Sequence, residues 1–248
     1  MSIILQNILK KLDVYFAQND YISAEKHLLH WIDEAKILND QRNQIALYNE
    51  LAGLYRKLGK KQNALDTVET LLNLIKVMGI EQNIGAGTTY INCATVYKAF
   101  GMASEALPLF EMAQNIYEKE LPHNDKRFGG LYNNMALALV DLKRFDEAYA
   151  LYNKAILVMK TIIDGELEVA ITYLNIASAK ESELGLENSQ KIIDELLNKS
   201  MQILDMHQNK NGYYAFVCEK CASVFGYYGY FAYENELLAR AREIYERS

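Results

Sequence analysis

Proline is nearly missing from this chain, with Pro108 and Pro122 the only two among 248 residues. Cysteine is scarce too, at Cys93, Cys218 and Cys221. An odd count in a chain of this length excludes the disulfide framework of small secreted domains. No apolar run approaches the ~20 residues that cross a bilayer. The longest near the N-terminus, Ile3 to Leu5, is far too short for a secretion signal. A soluble, cytoplasmic protein is therefore expected. Charge of one sign is not concentrated anywhere: 26 basic and 32 acidic residues are well mixed, for a net charge of −6. Without a basic stripe the chain cannot neutralise a run of phosphates, so neither nucleic acid nor an acidic membrane is expected as partner. Sustained period-2 alternation with β-branched residues is also lacking, which argues against strands.

Half of the residues are hydrophobic, enough for a substantial core. They recur at i, i+3, i+4 and i+7 over long stretches, the spacing of one face of a helix, so the expected fold class is all-α. The stretch Leu131–Ile156 also repeats Thr89–Ile116 at an offset of 42 residues. Tyr132 falls on Tyr90, Asn134 on Asn92, Ala136 on Ala94, Ala148 on Ala106 and Tyr152 on Phe110. A small residue near the start of each second helix anchors the repeat: Ala24, Ala64, Ala106 and Ala148, then the degenerate Ile193 and Glu234. A large residue follows four later, at Leu28, Val68, Phe110, Tyr152, Leu197 and Leu238, on the same helical face. The small residue lets two helices approach and the large one fills the space beside it. Gly59, Gly101 and Gly229 stand where first helices end, a place for a left-handed residue. An insertion of about four residues is implied near Glu183–Gln190. The repeats divide the chain into units 5–40, 41–81, 82–123, 124–165, 166–209 and 210–248, read as a single array.

The motif Tyr90-Ile91-Asn92-Cys93-Ala94, followed by Gly101 and Glu105-Ala106-Leu107-Pro108-Leu109, resembles the tetratricopeptide repeat (TPR), as does Tyr132 through Ala136. The usual unit has 34 residues; the longer one here is similar to the kinesin light chain type and its bacterial relatives. The resemblance is specific from Gln41 to about Ile163 and looser in units one, five and six. It implies a right-handed α-solenoid of about six hairpins, whose first helices line a concave groove. Positions facing the groove would include the sixth of each unit: Lys10, Glu50, Asn92, Asn134, Asn175 and Lys220, with Asn49 and Asn133 beside them. An amide side chain both donates and accepts, so it can pair with an extended peptide backbone. Arg56, Lys98 and Ser178, with Lys57, Thr95, Glu181 and Tyr227, would then read side chains. The same asparagines could instead bond to the next helix and set the stacking angle, and the two roles can coexist.

Catalytic constellations are not legible. Cys218 and Cys221 form C-x-x-C, but no second pair completes a zinc site and no strand precedes them, so packing is expected. His27 and His30 are i, i+3 without a supporting carboxylate pattern, and Gly85-Ala86-Gly87 lacks the strand of a phosphate loop. No catalytic residue, metal or cofactor is expected. The run Tyr227–Tyr233 holds five aromatics in seven residues, with Phe231 expected in the core. The leading expectation is a non-catalytic interaction module for an extended peptide or protein segment. Its rivals are a scaffold or homo-oligomer joined through the C-terminal repeat, and a bacterial signal-peptide sensor without an effector domain.

Overall fold

The 3.6-residue periodicity folds into helices throughout. A computed structural model describes residues 4–247; Ile3, at the start of the N-terminal apolar run, lies outside them. The described residues form twelve helices and no strand. In order they are α1 (Leu5–Ala17), α2 (Tyr21–Ile37), α3 (Gln41–Lys57), α4 (Lys61–Val77), α5 (Ile84–Ala99), α6 (Ala103–Glu120), α7 (Arg127–Asp141), α8 (Phe145–Met159), α9 (Glu166–Leu184), α10 (Leu186–Met206), α11 (Gly212–Tyr227) and α12 (Phe231–Glu246). Consecutive helices pair as hairpins of the tetratricopeptide type, the building blocks of an α-solenoid. The chain divides into two compact units, Met1–Glu120 with α1 to α6 and Leu121–Ser248 with α7 to α12.

In the first four hairpins a buried small residue is followed four positions later by a buried large one, and the fifth has isoleucine in the small residue's place. Ala24, Ala64, Ala106, Ala148 and Ile193 are fully buried, as are Leu28, Val68, Phe110, Tyr152 and Leu197 four residues later. Burying each large side chain contributes about 1.5–3 kcal/mol. At the opposite end of the hairpin the first helix supplies the small residue. A methyl carbon placed on Gly87 would stand 2.8 Å from the Tyr117 ring of α6, and one on Gly129 would collide with Met159 of α8. Gly87 thus serves helix approach, while Gly85 lies beside Asn83, which caps α5 by accepting the Ala86 N–H at 2.7 Å.

Turns follow the same economy. Gly59, Gly101 and Gly229 end first helices with φ of +67°, +75° and +84°. Asn19 and Asn39 adopt the same conformation, and the aspartate after each caps the next helix: Asp20 accepts the Ser23 N–H and Asp40 the Asn43 N–H. The fourth hairpin places Lys143 there at φ +61°, a strained position for a residue with a Cβ. In the fifth repeat, the extra residues lengthen α9 to 19 residues, against 15 to 17 in α3, α5 and α7.

The sixth hairpin departs from the expected register by one residue. Its inward face is Tyr233, Leu237 and Ala241, not Glu234 and Leu238, and Phe231 is 63% exposed at the start of α12 rather than in the core. The alanine anchor is absent from this repeat, so a bulky Tyr233 takes its place and packs edge-on against Phe225, with ring centroids 4.7 Å apart. The neighbouring tyrosines join this hairpin to α9 and α10 through carboxylates. Tyr227 and Tyr228 donate to the two oxygens of Glu181 at 2.7 and 2.8 Å, Tyr230 to Asp194 at 3.1 Å, and Tyr233 to Asp205 at 2.9 Å.

The Tyr152 hydroxyl is buried in the second unit and has no hydrogen-bond partner among the described residues. Its equivalent one repeat earlier is Phe110, which needs none. Tyr152→Phe removes the unsatisfied group and is expected to stabilise the fold by about 1–2 kcal/mol. The measurement is the urea unfolding midpoint: it rises if the hydroxyl is an orphan, and falls if the hydroxyl holds a bond in solution.

Candidate functional site

The asparagines of the first helices form two small networks of the same design, one in each compact unit. In the first unit, Asn49 of α3 donates through Nδ2 to the Ile45 carbonyl at 2.9 Å and to Thr89 Oγ1 of α5 at 3.1 Å. Its Oδ1 accepts from Asn92 Nδ2 at 2.8 Å. In the second unit, Asn133 of α7 donates to the Gly129 carbonyl at 3.1 Å and to Thr172 Oγ1 of α9 at 2.9 Å. Its Oδ1 accepts from Asn175 Nδ2 at 3.1 Å. A backbone carbonyl can only accept, which fixes the amide orientation of Asn49 and Asn133. Each threonine hydroxyl in turn donates one turn back, Thr89 to Gly85 and Thr172 to Glu168.

The consequences differ by position. Asn49 and Asn133 have both amide hydrogens engaged, and Asn133 is buried. Asn92 and Asn175 are half-buried and give one hydrogen each to the clamp, which leaves a second N–H and the carbonyl oxygen. Asn134 is half-buried on α7 and has no hydrogen-bond partner among the described residues. Arg56 and Ser178 are exposed and Lys98 is half-buried; none of the three belongs to either clamp. Ser178 lies beside Tyr228. Burial first, and the Asp13 carboxylate second, push the Glu50 carboxyl above its ordinary range. Thr89 and Thr172 escape a search for groove amides, although Thr89-Tyr90-Ile91-Asn92 and Thr172-Tyr173-Leu174-Asn175 repeat the same signal.

The three cysteines and His27 are accounted for by packing. All three cysteines are free and buried. Burial pushes the Cys93 and Cys221 thiols up to about 12 and raises that of Cys218, so none is a ready thiolate. His27 Nε2 lies 3.1 Å from the Ile8 carbonyl and joins α2 to α1. Among the described residues, no helix is long and apolar enough to cross a membrane.

Residues 43–119 match the family model described as tetratricopeptide repeat. No curated protein matches the chain. Solved structures share its fold at low identity. BtubC (BKLC) from P. vanneervenii is 18% identical with a TM-score of 0.69, over 83% of each chain. A Podosopora anserina protein described as kinesin light chain-like, with nearly identical TPR-like repeats, is 19% identical with a TM-score of 0.56, over 82% of this chain and 96% of that one. Rap protein, solved in complex with Competence and Sporulation Factor, is 16% identical with a TM-score of 0.62; all of this chain aligns, spanning 66% of Rap.

The clamp predicts a sharp contrast between adjacent asparagines. Asn133→Ala leaves Thr172 and Asn175 without their shared partner and is expected to destabilise the protein by about 1–3 kcal/mol. Asn134→Ala is expected to change stability by no more than about 0.5 kcal/mol. Urea titrations of the two variants read the difference directly.

Proposed function

We propose that this chain of tetratricopeptide-type hairpins is a non-catalytic interaction module holding an extended peptide or protein segment against its first helices. The carrying observation is unused hydrogen-bonding capacity at one repeated position. Among the described residues Asn134 has no hydrogen-bond partner, and Asn92 and Asn175 each keep one N–H and one carbonyl oxygen. Such groups can meet both the C=O and the N–H of an extended main chain. Asn49 and Asn133 set the spacing of the helices that carry them, while Arg56, Lys98 and Ser178 supply side-chain discrimination. Each bond adds only about 0.5–1.5 kcal/mol, so a ligand must engage several at once. Rap, which shares this fold over the whole length of the chain, is solved with a bound factor, and that likeness supports the ligand-holding reading. A signal-peptide sensor is one case of it. We read the six hairpins as a single array, and mixed surface charge argues against nucleic acid and membranes as partners. Three buried free thiols fit the cytoplasm.

The experiment is selection from a displayed library of extended peptides, followed by affinity measurement on variants. Asn134→Ala is expected to weaken selected peptides about two- to tenfold without moving the urea midpoint. A library that yields no binder, or binders indifferent to Asn134→Ala, Asn92→Ala and Arg56→Ala alike, contradicts the reading.

A second reading is homo-oligomerisation through the last hairpin. Phe231 is 63% exposed and Tyr227 70%, and Phe216 on α11 and Tyr245 on α12 are exposed too. Light scattering is expected to show a concentration-dependent dimer that Phe231→Ser converts to monomer. A monomer at every concentration removes this reading.

A further inference from the structure

In the second unit, the turn before α9 meets the segment between α10 and α11 through polar side chains. His207 closes α10, and its side chain is only 1% exposed. The ring is held flat against Tyr214, with centroids 5.5 Å apart and planes 8° from parallel. Nε2 lies 3.0 Å from the Asn209 carbonyl oxygen. A carbonyl only accepts, so Nε2 carries a proton. Nδ1 lies 3.0 Å from Glu166 Oε1, another acceptor. In a neutral ring protonated at Nε2, two lone pairs would face each other across that gap. A cation placed between Nδ1 and Oε1 would be held by both.

The third member of the cluster favours the metal. Asp164, Glu166 and His207 each offer one ligand atom, and the three atoms lie within 4.8 Å of one another. Metal–ligand bonds of about 2.0–2.2 Å would draw such atoms to separations of about 3.3 Å. The adjustment is small, since the Glu166 side chain is 49% exposed and free to close. Asn209 Nδ2 donates to Asp164 Oδ2 at 2.9 Å and orients that carboxylate. The bond from Nε2–H to a backbone carbonyl is the outer contact that a metal-ligating histidine makes with its other nitrogen. A mixed nitrogen and oxygen set suits a borderline ion such as Zn²⁺ better than Mg²⁺ or Ca²⁺, which take oxygen throughout.

We propose that Asp164, Glu166 and His207 form a divalent transition-metal site that ties the start of α9 to the α10–α11 connection. Three protein ligands leave at least one coordination position open. Beside it is a cleft of about 360 Å³ bounded by Tyr173, Lys199 and Gln202 along with Glu166 and His207. The open position gives a bound ion room for water or an anionic ligand.

The test is calorimetric titration of the full chain, stripped by chelator, with zinc chloride at neutral pH, paired with thermal unfolding. One zinc per chain is expected, with a rise in unfolding temperature that a chelator reverses. Glu166→Gln and Asp164→Asn are each expected to weaken zinc binding by about tenfold or more. Both should leave the metal-free unfolding temperature nearly unchanged, since Glu166 is half exposed and asparagine tolerates the left-handed backbone of Asp164 (φ +59°). His30→Ala controls for the histidine pair on α2 and should have no effect. Absence of saturable binding, or binding that survives both carboxylate substitutions, overturns the proposal. So does a His207 ring protonated at both nitrogens, by NMR, that ignores added zinc; the place then belongs to a proton.

Discussion

The close approach of two helices at a buried small residue is the contact on which the other features depend. Ala64 and Ala106 sit in the first unit, and Ala148 in the second, with no accessible surface; a larger side chain at any of them would hold the hairpin open. Gly87 and Gly129 repeat the device at the far end, where Tyr117 and Met159 press on the first helix. Pinned at both ends, a hairpin presents its outer face at a fixed height to the next. Only then can a side chain as short as asparagine reach across, as Asn49 does to Thr89 and Asn133 to Thr172. Protein interiors do not deform continuously, so a hydrogen bond of this reach demands the packing beneath it.

What could be read from sequence was whatever depends on periodicity. The alanine anchors, the large residues four positions on and the left-handed glycines each recur at a nearly constant interval, and each is where the pattern puts it. The pattern failed where the recurrent residue was missing. In the sixth hairpin no alanine marks the anchor, and Glu234 stands beside the residue that faces inward, Tyr233. An error of one residue rotates a helix by about 100°, which was enough to bring Leu238 into the expected core in place of Leu237 and to make the exposed Phe231 plausible there. Aromatic residues misled for a second reason. A tyrosine can be counted as apolar, yet the four hydroxyl-to-carboxylate bonds from Tyr227, Tyr228, Tyr230 and Tyr233 show this cluster working by its polar tips.

The asparagine ladder was legible as a set of positions but not as a set of bonds. Sequence spacing places Asn92 and Asn134 on the same turn of equivalent helices and says nothing about which way an amide rotates. The cluster of Asp164, Glu166 and His207 was less visible still. Its members come from a turn, a helix start and a helix end some 40 residues apart, and only the folded hairpin makes them neighbours.

One comparison shows how little separates a structural amide from an available one. Asn92, Asn134 and Asn175 share residue type, repeat position and partial burial. Three residues before Asn92 and Asn175 stand Thr89 and Thr172, whose hydroxyls hold the same incoming asparagine that the amide itself contacts. Three residues before Asn134 stands Leu131, fully buried and without a polar atom. A clamp uses both groups on the receiving helix, because the hydroxyl accepts from the incoming asparagine's Nδ2 while the amide donates to its Oδ1. Where threonine is present, the amide is drawn into the stack and half of its donor capacity is consumed. Where leucine replaces it, the asparagine has no hydrogen-bond partner among the described residues. Ile91 stands where Asn49 and Asn133 stand in the repeats before and after it, so the framework role of this position needs an asparagine on one helix and a threonine with an asparagine on the next.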